Sequence, residues 1–264
     1  NSGVNLFLNL LTVLENSFDL YSGFEPISLD EMNKVKLLDR MDRKFMFHVS
    51  HLNDILAMAG EHFFILEISG KRFARYETTY YDTPDFDMYT RHHNGKLNRY
   101  KVRFRSYVDS NLNFFEIKFK SNKGRTIKSR IKLPDNKWSL EGETGTLLEK
   151  KTIYKASDLT PALQVNYNRI TLVNKNMTER LTIDFGLNYV CGDKRAELPS
   201  LIIAEVKQDR SGSSEFITIM QQMRIKPASM SKYCLGIAST VNNVKLNNFK
   251  QKVRYVNQIF SKHA

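Results

Sequence analysis

The sequence predicts an α+β fold in which a mainly antiparallel sheet is flanked by helices at both ends of the chain. Two observations predict the sheet. Apolar residues recur at every second position between Lys44 and Lys207, and turn-forming stretches at 121–124 and 174–176 separate the alternating segments. A third observation predicts the helices, because apolar residues recur at helical spacing before and after this region.

The N-terminal 35 residues have a helical pattern. Apolar residues within 6–14 recur at helical spacing, and Ser28 with Glu31 forms the pattern of a capping box for a second helix. The stretch at 6–14 is too short to span a bilayer and lacks the basic flank of a signal peptide. We therefore expect no transmembrane segment, and we assign 1–35 to an N-terminal helical segment.

The strand period dominates the middle of the chain. Six segments alternate apolar with polar residues: 101–105, 115–120, 127–133, 167–170, 180–185 and 203–207. A helical interruption is expected at 147–156, and helical patterns return at 213–223 and 241–260. We assign 36–240 to one sheet domain, and 241–264 to a basic C-terminal helix that packs on it.

The composition excludes several classes of protein. Apolar residues make up 41% and charged residues 26% of the 264 residues, which is typical of a globular protein and excludes a disordered one. Cys191 and Cys234 lack the spacing of a zinc site and cannot build a disulfide framework. We therefore expect a reducing compartment and a cytoplasmic location.

The net charge of +12, from 40 Lys and Arg against 28 Asp and Glu, indicates a polyanionic partner. Nucleic acid, a chain of phosphates and an acidic membrane surface all qualify, and a generally basic solvated surface is the alternative. In the strands, Arg103 and Arg105 share one face, whereas Phe104 and Phe115 fall on the other, apolar face. Sheets that bind RNA expose aromatic residues beside the basic ones, so we expect no nucleic acid partner.

A closed barrel with the charges in its lumen explains this pattern better than an open basic surface. Cations buried in a lumen need a polyanion, and a chain of phosphates is the natural one. Glu116, Asp184 and Glu205 then become candidate ligands for Mg²⁺ or Mn²⁺. The alternative is that Glu116 and Glu205 simply pair with Lys118 and Lys207 across strands.

Several motifs resemble one known family over 24–240. They are 80–85 (YYDTPD), 92–105 (HHNGKLNRYKVRFR), 115–118 (FEIK), 125–130 (RTIKSR), 167–169 (YNR), 179–184 (ERLTID), 204–207 (AEVK) and 231–233 (SKY). Together and in this order they resemble the vacuolar transporter chaperone (VTC) domain, the polyphosphate polymerase branch of the triphosphate tunnel metalloenzymes in the CYTH-like superfamily.

The resemblance implies an eight-stranded antiparallel barrel, the triphosphate tunnel, with flanking N- and C-terminal helices. It implies a transferase that moves the terminal phosphate of ATP to pyrophosphate or a growing polyphosphate chain, with Mn²⁺ or Mg²⁺ as cofactor. A membrane-protein partner at the cytosolic face of a membrane is compatible with it.

The resemblance also assigns residues. Phosphate or nucleotide binding is expected of Lys44, Arg103, Arg105, Lys118, Lys128, Arg130, Arg169, Arg180, Lys207, Ser231 and Lys232. Catalytic roles are expected of Arg103, Arg105, Lys118, Arg169 and Glu205, and metal binding of Glu205 and, second, Glu116. Phosphoryl transfer supports these roles independently, since it needs in-line positioning and cations against the phosphate oxygens.

One departure from the tunnel enzymes bears on the reaction. Hydrolytic members begin with a strand reading ExExK, whereas residues 40–44 read RMDRK, with Asp42 as the only carboxylate. This difference favours transfer to a phosphate acceptor over hydrolysis. A tripolyphosphate or nucleoside triphosphate hydrolase and a non-catalytic polyphosphate-binding module are the alternatives.

Three further features carry weaker expectations. We expect His92 and His93 to lie at the edge of a strand or loop, facing opposite ways. Tyr167 is expected either to stack on a nucleobase at the tunnel mouth or to pack in the core. The basic residues of the C-terminal helix, such as Lys252 and Arg254, are expected to form a solvated face, with acidic lipid or polyphosphate as the alternative contact.

Overall fold

A computed structural model describes residues 23–35, 40–209, 212–228 and 230–261. Its strands are β1 (Glu25–Ile27), β2 (Arg40–His48), β3 (Phe63–Leu66), β4 (Ala74–Asp82), β5 (Arg99–Tyr107), β6 (Leu112–Lys120), β7 (Thr126–Leu133), β8 (Thr160–Asn174), β9 (Glu179–Cys191), β10 (Lys194–Leu198) and β11 (Leu201–Asp209). All six segments predicted from the alternation of side chains lie inside these strands, and the α+β class is confirmed.

Eight strands form one continuous antiparallel path in the order β2-β11-β9-β8-β4-β5-β6-β7. The three short strands lie at its margins, where β1 pairs in parallel with β3, β3 pairs with β8, and β10 pairs with β9. Within the described residues, β2 and β7 are the two ends of the path and do not pair with each other. Eight strands lie on this path, but the sheet has eleven strands in all and the path does not close, so the eight-stranded barrel is not confirmed.

The helices are α1 (Leu29–Asn33), α2 (Leu52–Gly60), α3 (Asp87–His93), α4 (Glu143–Lys151), α5 (Glu215–Gln222), α6 (Lys232–Thr240) and α7 (Lys250–Ser261). The capping box is confirmed, because Ser28 caps α1 and Glu31 accepts a hydrogen bond from the Ser28 backbone N–H at 3.0 Å. The stretch at 6–14 lies outside the described residues. None of the helices in the described ranges is both long and apolar enough to cross a membrane.

One face of the sheet, the outer face, is covered by helices in two places. The first is the cluster of Phe45, Ile183 and Val206 with residues of α2 and α5, including Leu56 and Phe216. The second is a cluster of Val102, Phe104, Phe115 and Ile117 packed against Leu148 of α4. The apolar phase of the strands therefore points outward under helices, as the period of two predicts.

The opposite face of the sheet, the inner face, has an apolar part and a charged part. One part is filled by tyrosines and aliphatic residues of β4, β8, β9 and β11 packed against α6 and α7. The close approach of α6 requires a glycine, because a Cβ on Gly236 would meet the side chains of Leu163 and Tyr189 inside van der Waals distance. The remaining part of the inner face carries the charged residues.

Candidate anion-binding site

Arginines of β5 surround a glutamate of β6 on the inner face. Arg103 lies opposite Glu116, which lies opposite Arg130 on β7. The Nε and Nη2 atoms of Arg103 lie 2.6 and 2.5 Å from Oε2 of Glu116, and Nη1 of Arg105 lies 3.9 Å from the same oxygen. Burial alone raises the pKa of Glu116, but the two arginines outweigh it and lower that pKa to about 2. Glu116 is therefore an anion held between guanidinium groups.

The strands β5 to β7 form the first wall of the site. Lys118 lies further along this wall than Glu116, opposite both Lys101 and Lys128. In the part of the chain that the structure describes, its ammonium has no hydrogen-bond or ion-pair partner. The nearby charge of Arg103, together with burial and Arg105, holds the pKa of Lys118 well below its ordinary value. An added anion would remove this repulsion, so the wall is built to receive negative charge.

The cations rest on a floor of three buried tyrosines, Tyr76, Tyr80 and Tyr167. The guanidinium carbon of Arg169 lies 5.0 Å from the Tyr76 ring centre, and that of Arg105 lies 5.5 Å from it. Nζ of Lys232 lies 4.6 Å from the centre of the Tyr167 ring. Tyr76 and Tyr167 stack at 5.1 Å and 13°. The negative ring faces hold the cations in place without neutralising them.

A second wall is built by β8, β9 and α6. Arg169 donates to both carboxylate oxygens of Asp184, from Nε at 2.6 Å and from Nη2 at 2.8 Å. Nζ of Lys232 contacts Oδ2 of the same carboxylate. Burial raises the pKa of Asp184, but Arg169 and Lys232 lower it to about 2 overall. The prediction that Asp184 binds metal is not supported by this arrangement, because both its oxygens are engaged by cations.

Glu205 of β11 lies between two lysines. Its Oε1 is 2.8 Å from Nζ of Lys207, and its Oε2 is 3.2 Å from Nζ of Lys44. The carboxylate is half-buried, which raises its pKa, but Lys207 and Lys44 lower the pKa well below its usual range. Glu205 therefore pairs with Lys207, which was one of the two interpretations of the sequence. Glu116 pairs with Arg103 and Arg105 and not with Lys118.

A divalent metal ion at this site would have to bind to its carboxylates. Among the described residues, no three His, Cys, Asp or Glu side chains cluster closely enough to hold a metal on their own. Mg²⁺ and Mn²⁺ do not require such a cluster, because they commonly bind one or two carboxylates while substrate phosphates and water complete the shell. Lysines contact both oxygens of Glu205, but Lys44 and Lys207 are partly exposed and can turn to the same phosphates, whereas two hydrogen bonds from Arg169 hold Asp184. Glu205 therefore fits this arrangement better than Asp184. Glu116 fits less well, because arginines already engage it.

The first turn of α6 reaches between the two walls. Nζ of Lys101 on β5 donates to Oγ of Ser231 at 2.9 Å, while Lys232 contacts Asp184 on β9. Ser231 also caps α6 by accepting from the backbone N–H of Cys234 at 3.3 Å. The sheet is curved strongly enough that Lys44 of β2, five strands away along the path, contributes with burial to the lowered pKa of Lys101.

The structure places the predicted residues in three groups. Those around the space between the walls are Lys44, Arg103, Arg105, Lys118, Arg169, Glu205, Lys207, Ser231 and Lys232. Lys128 and Arg130 share the inward phase but lie exposed on β7 at the end of the path. Arg180 is directed away from the centre, because its Nη2 donates to the carbonyl oxygen of Met32 in α1 at 2.9 Å.

Lys101 belongs to the site, although the sequence motifs did not assign it there. Its position two residues before Arg103 places its side chain on the same face of β5. His92 and His93 end the helix α3 rather than a strand, where Nδ1 of His92 lies 3.1 Å from Sγ of Cys234. Tyr167 is 3% exposed and lies in the floor, so its core alternative is correct and the mouth position is wrong.

The sequence model of the VTC domain family matches residues 39–241. No curated protein matches the chain.

Two solved structures are similar to this chain at low identity. A putative adenylyl cyclase from Hippeastrum, described as having a dominant triphosphatase activity, is 10% identical, with 77% of this chain and 98% of that chain covered and a TM-score of 0.50. A putative adenylate cyclase from Vibrio parahaemolyticus is 12% identical, with 84% and 99% covered and a TM-score of 0.43. At these identities the likeness concerns the fold alone.

Proposed function

Because the chain belongs to the VTC domain family, we propose that it is a metal-dependent polyphosphate polymerase that transfers the terminal phosphate of ATP to pyrophosphate or polyphosphate. The observation that carries the proposal is the excess of buried and half-buried cations between the two walls. These cations outnumber the carboxylates Glu116, Asp184 and Glu205. In addition, Arg103 and burial lower the pKa of Lys118, so a bound anion would stabilise its ammonium form. A chain of phosphates supplies the missing negative charge at regular intervals.

The transfer makes simple demands on the protein. A terminal oxygen of the acceptor phosphate forms a bond to the γ-phosphorus, the bond from that phosphorus to the β,γ-bridging oxygen breaks, and ADP leaves. Arg103, Arg105 and Arg169 are suited to hold the phosphates, since a guanidinium engages two phosphate oxygens at once and stays charged. We propose that these arginines and Lys118 align the two phosphate chains and stabilise the charge on the equatorial oxygens.

Glu205 is the proposed holder of Mn²⁺ or Mg²⁺, which supplies additional positive charge at the phosphate oxygens when bound. In the same region β2 carries Asp42 as its one carboxylate, directly opposite Lys207. A pair of carboxylates that could activate water is therefore missing from this strand. This supports a phosphate acceptor rather than water.

The remaining predicted contacts extend the same surface. We propose that Lys44, Lys207, Ser231 and Lys232 bind phosphate between the walls, and that Lys128, Arg130 and Arg180 bind the chain farther out. The proposed partners are ATP, pyrophosphate and polyphosphate. A cytoplasmic location, with a membrane-protein partner, stays a prediction.

The test is an incubation of the purified protein with ATP, Mn²⁺ or Mg²⁺ and a trace of pyrophosphate. Products are resolved on a polyphosphate-staining gel while orthophosphate is assayed in parallel. We expect a metal-dependent ladder of long chains, which Glu205→Gln reduces by roughly 100-fold. The matched control is Glu77→Gln, which changes an exposed carboxylate on the outer face of β4 and should leave the ladder unchanged.

Other products would indicate a different function. Orthophosphate without a ladder would identify a triphosphate hydrolase. Salt-dependent binding of polyphosphate with neither product would identify a non-catalytic binding module. Full activity of Glu205→Gln would show that the metal is held elsewhere.

A further inference from the structure

A buried carboxylate at the end of β4 has a role that the proposed transfer does not use. Asp82 is 0% exposed. Its Oδ1 accepts from the backbone N–H groups of Thr83 at 2.8 Å and Met88 at 2.9 Å, and its Oδ2 accepts from that of Tyr89 at 3.0 Å. None of the described cations forms an ion pair with it. This carboxylate therefore organises the turn into α3 through three backbone N–H groups.

The remaining donor to Asp82 comes from α6, which is 151 residues away in the sequence. The hydroxyl of Tyr233 donates to Oδ2 of Asp82. Tyr233 is 2% exposed and directly follows Ser231 and Lys232 in the first turn of α6. This hydrogen bond therefore fixes the first turn of α6, which reaches between the two walls, to the sheet.

The ring of Tyr233 makes a second connection to the same site. It packs against Tyr80 with ring centres 5.0 Å apart and a 31° angle between planes. The Tyr80 hydroxyl in turn accepts from Nη1 of Arg103 at 3.2 Å. Tyr233 therefore lies between a fixed anchor, Asp82, and groups on both walls.

We infer that Asp82 and Tyr233 are positioning residues for the anion-binding site. Their hydrogen bond sets the depth and rotation of the first turn of α6, and thereby the positions of Oγ of Ser231 and Nζ of Lys232. Neither residue touches the phosphates. The inference rests on the proposed function for its ligand class, inorganic phosphate chains, and not on the reaction.

The experiment measures tripolyphosphate affinity by calorimetry in four proteins: wild type, Tyr233→Phe, Lys232→Met and the double variant. Tyr233→Phe keeps the ring contact with Tyr80 and removes only the hydroxyl. We expect it to weaken binding about fivefold to tenfold in the wild-type background, and by a clearly smaller factor once Lys232 is replaced, because only Ser231 then remains for it to position. A purely structural tyrosine would weaken binding by the same factor in both backgrounds, and that result would overturn the inference.

Two further variants keep the test decisive. Tyr89→Phe is the matched control, because it removes another buried hydroxyl, which donates to the backbone carbonyl of Lys245 at 2.8 Å, and it should bind like wild type. Asp82→Ala removes the acceptor of the Tyr233 hydroxyl altogether, so it should reproduce the loss of Tyr233→Phe, with circular dichroism to check that the protein is folded. Wild-type affinity in a folded Asp82→Ala protein would overturn the inference.

The outcome is separable from that of the proposed function. A protein that binds tripolyphosphate without making polyphosphate would overturn the polymerase and leave the positioning pair intact. Additive effects of Tyr233→Phe and Lys232→Met would overturn the pair and leave the polymerase intact. Absence of tripolyphosphate binding by the wild type would overturn both.

Discussion

Lys232, in the first turn of α6, contacts Oδ2 of Asp184, the carboxylate to which Arg169 is bound through two hydrogen bonds. One buried anion therefore holds two cations that come from different elements of the fold. Asp184 is 2% exposed, so the removal of its charge would leave both cations buried without compensation. A bound phosphate chain would relieve the same imbalance.

Asp184→Asn should destabilise the protein by about 3–5 kcal/mol in the absence of ligand, because it leaves Arg169 and Lys232 unpaired in a buried site. Tripolyphosphate should raise the unfolding midpoint of this variant more than that of the wild type. Thermal unfolding with and without tripolyphosphate measures both effects. Asp193→Asn, in an exposed turn, is the control. Equal ligand-induced shifts in Asp184→Asn and wild type would contradict this prediction.

Binding of tripolyphosphate should be accompanied by uptake of protons at Lys118. Arg103 and burial hold the pKa of Lys118 well below its ordinary value, so this ammonium gives up its proton more easily than that of an ordinary lysine. Bound phosphate restores the charged form, and affinity should therefore fall as the pH rises through the lowered pKa. Calorimetry in buffers of different ionisation enthalpy measures the proton uptake.

Lys118→Met should abolish most of that uptake, whereas Lys194→Met, at an exposed position of β10, should not change it. If proton uptake is the same in Lys118→Met as in the wild type, another group takes up the protons and the assignment is wrong.

Glu179 should make the protein less stable as the pH rises. It is 0% exposed, and burial raises its pKa from 4.5 to about 7, although Ser214 and the backbone N–H groups at the start of α5 act in the opposite direction. The folded protein therefore keeps a proton that the unfolded chain loses, and the free energy of unfolding falls between about pH 4.5 and pH 7 and stays low above. The effect is at most about 3 kcal/mol.

Glu179→Gln removes the ionisation at nearly the same volume. Urea denaturation across this pH range should find the variant more stable than wild type above about pH 7, with the difference shrinking towards pH 4.5. Glu197→Gln, which changes an exposed carboxylate on β10, serves as the control. A difference between Glu179→Gln and wild type that does not vary with pH would disprove the role of this ionisation.

Gly236→Ala should both destabilise the protein and weaken anion binding. The new methyl would overlap the side chains of Leu163 and Tyr189, so α6 must move away from β8 and β9. Overpacking of this kind costs about 1–3 kcal/mol, and the displaced helix would withdraw Ser231 and Lys232 from the walls. Chemical denaturation and tripolyphosphate titration measure the two effects. Gly60→Ala, whose Cβ meets only ordinary contact, should leave both unchanged.

Much of the inner face could be predicted from local pattern. Residues two apart on a strand point the same way, so Arg103 and Arg105 were placed together, and Phe104 was placed under a helix on the other face. The same rule predicts that Lys101 belongs to the set. The pattern could not predict that Arg180 is directed to the backbone of α1, because that depends on how a distant helix meets the sheet.

The sequence by itself determined which side chains share a face, the order of the strands along the chain, the capped start of α1 and the excess of positive charge, because each follows from local periodicity or composition. Only the tertiary structure decided how those groups are paired. The insertion of α6 brings Lys232 to Asp184 and Tyr233 to Asp82, and the curvature of the sheet brings Lys44 near Lys101. Such contacts join residues far apart in the chain, and they arise from the packing of whole elements against one another.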